Sequence, residues 1–217
     1  MESRRKVTNI ALAILSFIIL VFVTYLVIGI GRLENFDTLI SEYILSFQST
    51  TLTPIFIAIT NIGSPLSLSF LSLFLFSFLF FKKRYCNSAF IVISMFIGVT
   101  LTTLLKWYVQ MPRLPSGLVE EGGFSFPSGH ATIATIFSLI LVHIFGHRIK
   151  NYATRIVFKI FCFVAIFLVG ISRIYLEVHR PNEVAAGFLL GILCVSISVI
   201  FCSYFCKKNF TEPSQAS

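Results

Sequence analysis

Long apolar runs separated by short polar and basic clusters dominate this chain. Val7–Gly31 carries no charged residue over 25 positions, and about 20 apolar residues in helical form cross a bilayer core. Arg4, Arg5 and Lys6 precede this run as they would precede a signal peptide. The run is longer than a signal-peptide core, however, and Thr24–Gly31 makes a poor cleavage site, so the pattern predicts a retained helix. Phe36, Leu39, Ile40, Tyr43, Ile44 and Phe47 then recur at helical spacing opposite Asp37, Ser41 and Glu42. That arrangement predicts an interfacial helix over Phe36–Phe47.

Tyr43–Phe81 is uncharged but too long for one crossing, and Asn61-Ile62-Gly63-Ser64-Pro65 breaks it. The second span is therefore expected at Pro65–Phe81, stopped by Lys82-Lys83-Arg84. Tyr85–Leu105, Ala131–Gly146, Ile156–Ile174 and Glu183–Cys206 complete a predicted set of six spans. The expectation is an all-α, polytopic membrane protein, a single domain over 1–217 with a polar tail at 207–217.

Composition agrees, with 56% hydrophobic residues, 12% charged residues and a mean hydropathy of +0.90, outside the usual range of soluble domains. The net charge of +8 is ambiguous until its placement is read. Twelve of the 17 basic residues fall on the side of the N-terminus, leaving Arg32, Lys106, Arg113, Arg173 and Arg180 on the other. The positive-inside rule then places both termini in the cytoplasm. This distribution removes the need for a nucleic-acid partner. No cysteine lies on an outside loop, so no disulfide framework is expected. Cys202 and Cys206 share a helix face and are read as packing residues rather than metal ligands.

The outer cations concentrate in or beside three segments that the six-span map brings to one membrane face. These are Lys106-Trp-Tyr-Val-Gln-Met-Pro-Arg113, Pro127-Ser128-Gly129-His130, and Ser172-Arg173 followed by His179 and Glu183. Ser128 and Gly129 open a helix, where free backbone N–H groups and the helix dipole suit an anion such as phosphate. Lys106, Arg113 and Arg173 supply a point charge and two planar forks that match phosphate oxygens. Snorkelling to the interface or binding lipid head groups is the alternative for each cation taken singly. A carboxylate at Glu183 can orient the His179 imidazole four residues earlier, leaving its second nitrogen as nucleophile or base. His130 can then take the opposite proton-transfer role. His143 and His147 lie at the far end of their span, where capping or snorkelling is expected. No metal site is expected.

These three blocks resemble the signature of the type 2 phosphatidic acid phosphatases, Lys-x6-Arg-Pro, Pro-Ser-Gly-His and Ser-Arg-x5-His-x3-Asp. Leu114 stands here for the proline after Arg113, and Glu183 for the aspartate. The resemblance implies a cofactor-free hydrolysis of lipid phosphates at the outer face of a bacterial cell membrane. His179 would attack phosphorus to give a phosphohistidine, with Glu183 orienting it. His130 would serve as acid and then base, while Lys106, Arg113, Ser128, Gly129 and Arg173 hold the phosphoryl oxygens. The longer Glu183 side chain shifts the carboxylate by roughly 1 Å unless the helix adjusts.

Small bacterial members resembling this chain act on phosphatidylglycerol phosphate, phosphatidic acid or undecaprenyl pyrophosphate, the first and last being favoured here. The implied partners are the lipid phosphate substrate and the surrounding membrane lipids, with no obligatory protein partner. Phe36, Phe47 and Phe56 are candidates to line a groove for the lipid tail. A lipid-phosphate-binding or translocating protein without turnover is the competing reading.

Overall fold

The computed structural model describes residues 2–29 and 34–206. The expected tail at 207–217 lies outside the described residues, as do Arg32, Lys207 and Lys208 of the charge map. Every described element is an α-helix: α1 Glu2–Gly29, α2 Glu34–Leu45, α3 Leu52–Ile62, α4 Pro65–Phe81, α5 Tyr85–Val109, α6 Gly129–Phe145, α7 Tyr152–Tyr175 and α8 Pro181–Phe205. The interfacial helix expected at Phe36–Phe47 is α2. The α3 helix fills a stretch to which the sequence pattern assigned no element.

Four helices, α1, α5, α7 and α8, are long and apolar enough to cross a membrane, and α3 with α4 forms a fifth candidate. The two halves of that fifth candidate are bent by 43° at the predicted break. Ser64 ends the break by accepting a hydrogen bond from the Ser67 N–H at 3.1 Å, and Pro65 takes the first helical position. The predicted sixth span, α6, has only 17 residues, which at 1.5 Å per residue falls a little short of a ~30 Å hydrocarbon core. Its Ile133, Ile136, Ile140 and Ile144 are all buried, so α6 is an interior helix walled by its neighbours.

The helix at the centre is α8, packed against α1, α5 and α6. Close approach to α6 depends on missing side chains. A Cβ on Gly187 would sit 2.7 Å from the Ser128 carbonyl oxygen, and one on Gly191 would sit 2.6 Å from Thr135 Cβ. Small residues at such crossings let backbones meet and helices interlock in a bilayer. The result is that the first turn of α6 is pressed against the first turns of α8.

One expectation is corrected here. Cys86, in the first turn of α5, and Cys206, just beyond α8, form a disulfide with their Cα atoms 6.0 Å apart. The prediction against any disulfide treated each span separately. Packing of α5 on α8 brings the two positions together although 120 residues separate them. Cys202 is buried in the core as expected.

Candidate active site

The head of α8 builds a buried imidazole–carboxylate pair from local sequence alone. Arg180 precedes Pro181, and Glu183 sits in the first turn, where its carboxylate accepts the Arg180 backbone N–H at 3.2 Å. This position carries the same carboxylate oxygen to His179 Nδ1, 2.6 Å away. The other oxygen accepts from Ser125 Oγ at 3.0 Å and from Arg180 Nη1 at 3.1 Å. Glu183 is fully buried and His179 is 2% exposed. The longer side chain at 183 therefore reaches its histidine without loss of contact.

Burial pushes the His179 imidazole below its ordinary range, and the Glu183 carboxylate only partly opposes that shift. A neutral ring whose Nδ1 proton is held by a carboxylate presents a lone pair on Nε2.

The second half of the site begins where α6 does. Ser128 caps the helix, and its backbone N–H donates to the Glu183 carbonyl at 3.0 Å, tying the two helix heads together. A Cβ on Gly129 would meet nothing closer than 3.9 Å, so the backbone there is open to a ligand. His130 follows immediately.

Arg113 and Arg173, from the other two blocks, meet on one carboxylate, that of Glu121. Arg113 Nη1 lies 3.0 Å from one of its oxygens. Arg173 Nη2 pairs with the other, and His130 Nδ1 stands 3.7 Å from that same oxygen. Arg173 is almost fully buried; its Nη1 donates to Thr60 Oγ1 at 2.6 Å while its Nε has no partner. Arg113 Nε donates to the carbonyls of Gly122 and Gly123 at 3.1 and 3.2 Å. Burial pushes the Glu121 carboxyl up, but Arg173, His130 and Arg113 outweigh it and hold the group below its ordinary range.

Lys106, in the last turn of α5, does not touch Glu121. Its Nζ donates to the carbonyl of Phe124 and lies 3.5 Å from that of Ser125, which anchors the segment leading into Pro127–His130. The structure thus brings Arg113, His130 and Arg173 to Glu121 and His179 to Glu183, with Ser128 tied to the Glu183 backbone and Lys106 to that of Phe124. At the far end of α6, His143 packs on the Phe90 ring, with centroids 4.7 Å apart.

Four contributors were not anticipated. Glu121, Ser125 and Thr60 reach the site from non-helical or distant segments. Asp37 of α2 accepts from Asn182 N–H at 2.9 Å and from Asn182 Nδ2 at 2.6 Å, holding the head of α8. One signal was available: Glu120-Glu121-Gly122-Gly123 places acid and flexible backbone between Arg113 and His130, and a carboxylate is the side chain nearest to phosphate in charge and shape.

A buried imidazole–carboxylate pair beside two guanidinium groups, a second imidazole and a helix head is equipped to bind and cleave a phosphate ester. The chain belongs to the PAP2 superfamily, whose family model matches residues 87–207. Phosphatidylglycerophosphatase B of Bacillus subtilis (strain 168) is 28% identical over 185 residues, covering 84% of this chain and 86% of that protein. An Escherichia coli K12 protein, YbjG, named provisionally as an undecaprenyl-diphosphatase, is 32% identical over 78 residues, covering 36% of this chain and 35% of the relative. The crystal structure of the Bacillus subtilis transmembrane PAP2-type phosphatidylglycerolphosphate phosphatase superposes with a TM-score of 0.76 at 24% identity, covering 94% of this chain and 98% of that one.

Proposed function

We infer that this multi-pass membrane protein hydrolyses the terminal phosphate of a lipid, with phosphatidylglycerol phosphate or undecaprenyl pyrophosphate as substrate. The 2.6 Å contact between His179 Nδ1 and Glu183 carries this reading, since it leaves Nε2 of a buried, neutral imidazole as the nucleophile. Nε2 attacks phosphorus, the N–P bond forms, and the P–O bond to the lipid breaks. His130 gives its proton to the departing lipid oxygen. It then takes a proton from water, whose oxygen attacks the phosphohistidine and returns Nε2 to its starting state. Arg113, Arg173, Lys106, Ser128 and the Gly129 N–H stabilise the charge spread over the phosphoryl oxygens. Glu183 keeps the His179 proton on Nδ1 and balances the positive charge the ring acquires.

A lipid substrate fits the surroundings of the pair. An apolar groove of about 260 Å³ runs between α2, α7 and α8, lined by Phe36, Ile40, Phe167, Ile174, Val184 and Phe188. Val184 follows Glu183 directly, so the groove adjoins the catalytic head of α8. Of the aromatic residues expected to receive a tail, Phe36 lines this groove. Phe56 instead stacks on Tyr175, with ring centroids 4.1 Å apart, and Phe47 packs edge-on to Tyr43.

The charge map supports six crossings, with α6 as the short sixth, cytoplasmic termini and a site at the outer face. Phosphate release in detergent micelles with a metal chelator present, from phosphatidylglycerol phosphate, phosphatidic acid and undecaprenyl pyrophosphate in parallel, tests the proposal. His179→Ala is expected to abolish release from every substrate. Release that survives this substitution, or that demands a divalent metal, rules out the phosphohistidine route. Lipid binding without release supports a non-hydrolytic binding or translocating protein instead.

A further inference from the structure

Glu121 occupies the place where the proposed mechanism needs a phosphoryl group. Its two oxygens take the guanidinium groups of Arg113 and Arg173, and one of them faces His130 Nδ1. These three side chains are ligands that a phosphate would use. We propose that Glu121 is a tethered competitor for the phosphate cradle, which substrate must displace and which reserves the cradle for terminal phosphate groups. The proposal rests on the phosphatase reading for its biological meaning, although the competition itself is a property of binding alone.

Three observations support displacement outward rather than a permanent structural pair. The partners are unequally fixed: the Arg173 side chain is 1% exposed and held by Thr60, whereas that of Glu121 is 21% exposed. The carboxylate rides on a segment, residues 110–128, with no helix of its own. Immediately after it come Gly122 and Gly123. Gly123 has a φ of +74°, and neither glycine has an atom within 4 Å of where a Cβ would stand. Rotation at Gly122 and Gly123 can therefore carry the Glu121 side chain off the guanidinium groups while Leu118 N–H stays on the Leu176 carbonyl and Ser125 N–H on that of Met111.

Charge supplies the selectivity. Arg173, His130 and Arg113 keep Glu121 ionised, so the resident ligand carries one negative charge. A terminal phosphate carries about −1.5 to −2 at neutral pH and presents three oxygens to the same donors. A phosphodiester head group, the bulk anion of a bilayer, carries one charge and gains no such advantage. With the cradle filled most of the time, apparent affinity falls by the fraction of molecules in which it is free. Terminal phosphates overcome that loss, and phosphodiesters do not.

The test compares binding of inorganic phosphate and dimethyl phosphate to the full-length protein in detergent by titration calorimetry. Trp107, the only tryptophan, lies 6.0 Å from the Phe124 ring and gives an optical report of loop movement. Glu121→Gln and Glu121→Ser are expected to tighten inorganic phosphate about tenfold, as when a site nine-tenths occupied is vacated. Dimethyl phosphate binding becomes measurable only in these variants. Glu120→Gln removes a neighbouring, exposed charge and is expected to leave both affinities unchanged.

With lipid phosphate substrate, KM falls by a similar factor while kcat is kept. Unchanged or weaker phosphate binding in both Glu121 variants overturns the proposal, as does wild-type binding of dimethyl phosphate as tight as that of inorganic phosphate. A large fall in kcat at constant KM also overturns it, because it would make Glu121 part of the chemistry. Tightened phosphate binding in a protein that releases no lipid phosphate leaves the competitor in place and removes the phosphatase reading.

Discussion

Helices α1 and α8 look alike as sequences and behave oppositely in the fold. Both are long, apolar and uncharged through their middles, yet the apolar stretch of α1 is 11% buried and that of α8 is 61% buried. The two pack on one another, so the difference is not one of location. Ile14, Phe17, Ile18 and Phe22 of α1 point away from the bundle, as suits side chains that meet lipid tails. The inner positions of α8 carry Gly187, Gly191, Ser196 and Ser198, which admit neighbouring backbones or bond within the helix, as Ser198 Oγ does to the Cys194 carbonyl at 2.8 Å. Apolarity marks a segment that enters a bilayer. Small and polar residues along it mark the segment that lies inside, and α8 alone of the two begins with a carboxylate that holds a buried imidazole.

The sharpest way to break that contrast is at the head of α8. Glu183→Ala leaves His179 buried with no partner for Nδ1, so the ring loses its fixed tautomer and the balancing charge. kcat is expected to fall by about 10³-fold, within the range for a misplaced acid–base partner, while KM changes little because the phosphate ligands remain. Glu183→Gln keeps the volume and is expected to fail almost as badly, since it cannot balance the charged ring. Equal turnover in the alanine variant removes Glu183 from the mechanism.

The next effect separates packing from apolarity. Gly187→Ala introduces a methyl 2.7 Å from the Ser128 carbonyl, 2.9 Å from Ala131 Cβ and 3.2 Å from the Thr132 nitrogen. Two of those three atoms belong to the backbone and cannot rotate away, so α6 must shift. A destabilisation of about 1–3 kcal/mol is expected, despite alanine's better helix propensity. Because the shift moves Ser128, Gly129 and His130 together, kcat/KM falls with it. Phe22→Ala in α1 removes a far larger side chain from the lipid-facing surface and is expected to stay within about 0.5 kcal/mol with activity unchanged. Comparable losses in both variants, read as detergent melting temperature, would show that burial differs less than the fold implies.

The same contrast explains what the sequence could disclose. Apolar runs and their breaks located α1, α4, α5, α6, α7 and α8 to within a few residues, because backbone hydrogen bonds in a bilayer leave a long apolar segment no alternative to the helix. The helix α3 was missed although Thr51 and Pro54 mark its start, because no charge separates it from α2 and the uncharged stretch was divided only at Asn61–Pro65. The blocks bearing Lys106, Arg113, Ser128, Gly129, His130, Arg173, His179 and Glu183 could be read because helix order brings them to one face. Glu121 was signalled only by the acid–glycine run around it, and Asp37, Thr60 and Ser125 could not be read, since each acts through a tertiary contact with no fixed spacing in the chain. The Cys86–Cys206 disulfide escaped for that reason too.

The smallest expected effect concerns the polar clamp between α2 and α8. Burial pushes the Asp37 carboxyl up to about 6 from an ordinary 3.8, with the nearby Glu183 charge adding to the shift, against the two hydrogen bonds from Asn182. Its pKa is higher in the folded than in the unfolded protein. Folding therefore favours the protonated form, and this stabilisation is complete below pH 3.8 and lost as pH rises through about 6. The slope from one such group is at most about 1.4 kcal/mol per pH unit. Asp37→Asn removes the charge but keeps the bonds. Its oxygen still accepts the Asn182 N–H, and its amide can donate to Asn182 Oδ1, unpartnered in the native protein, once that side chain turns over. Melting profiles of the two proteins are expected to coincide near pH 4, to diverge from there to about pH 6 and to stay a constant distance apart above it, the variant being the more stable. Parallel profiles across that interval would mean that Asp37 is as well solvated as the exposed face of α2 beside it.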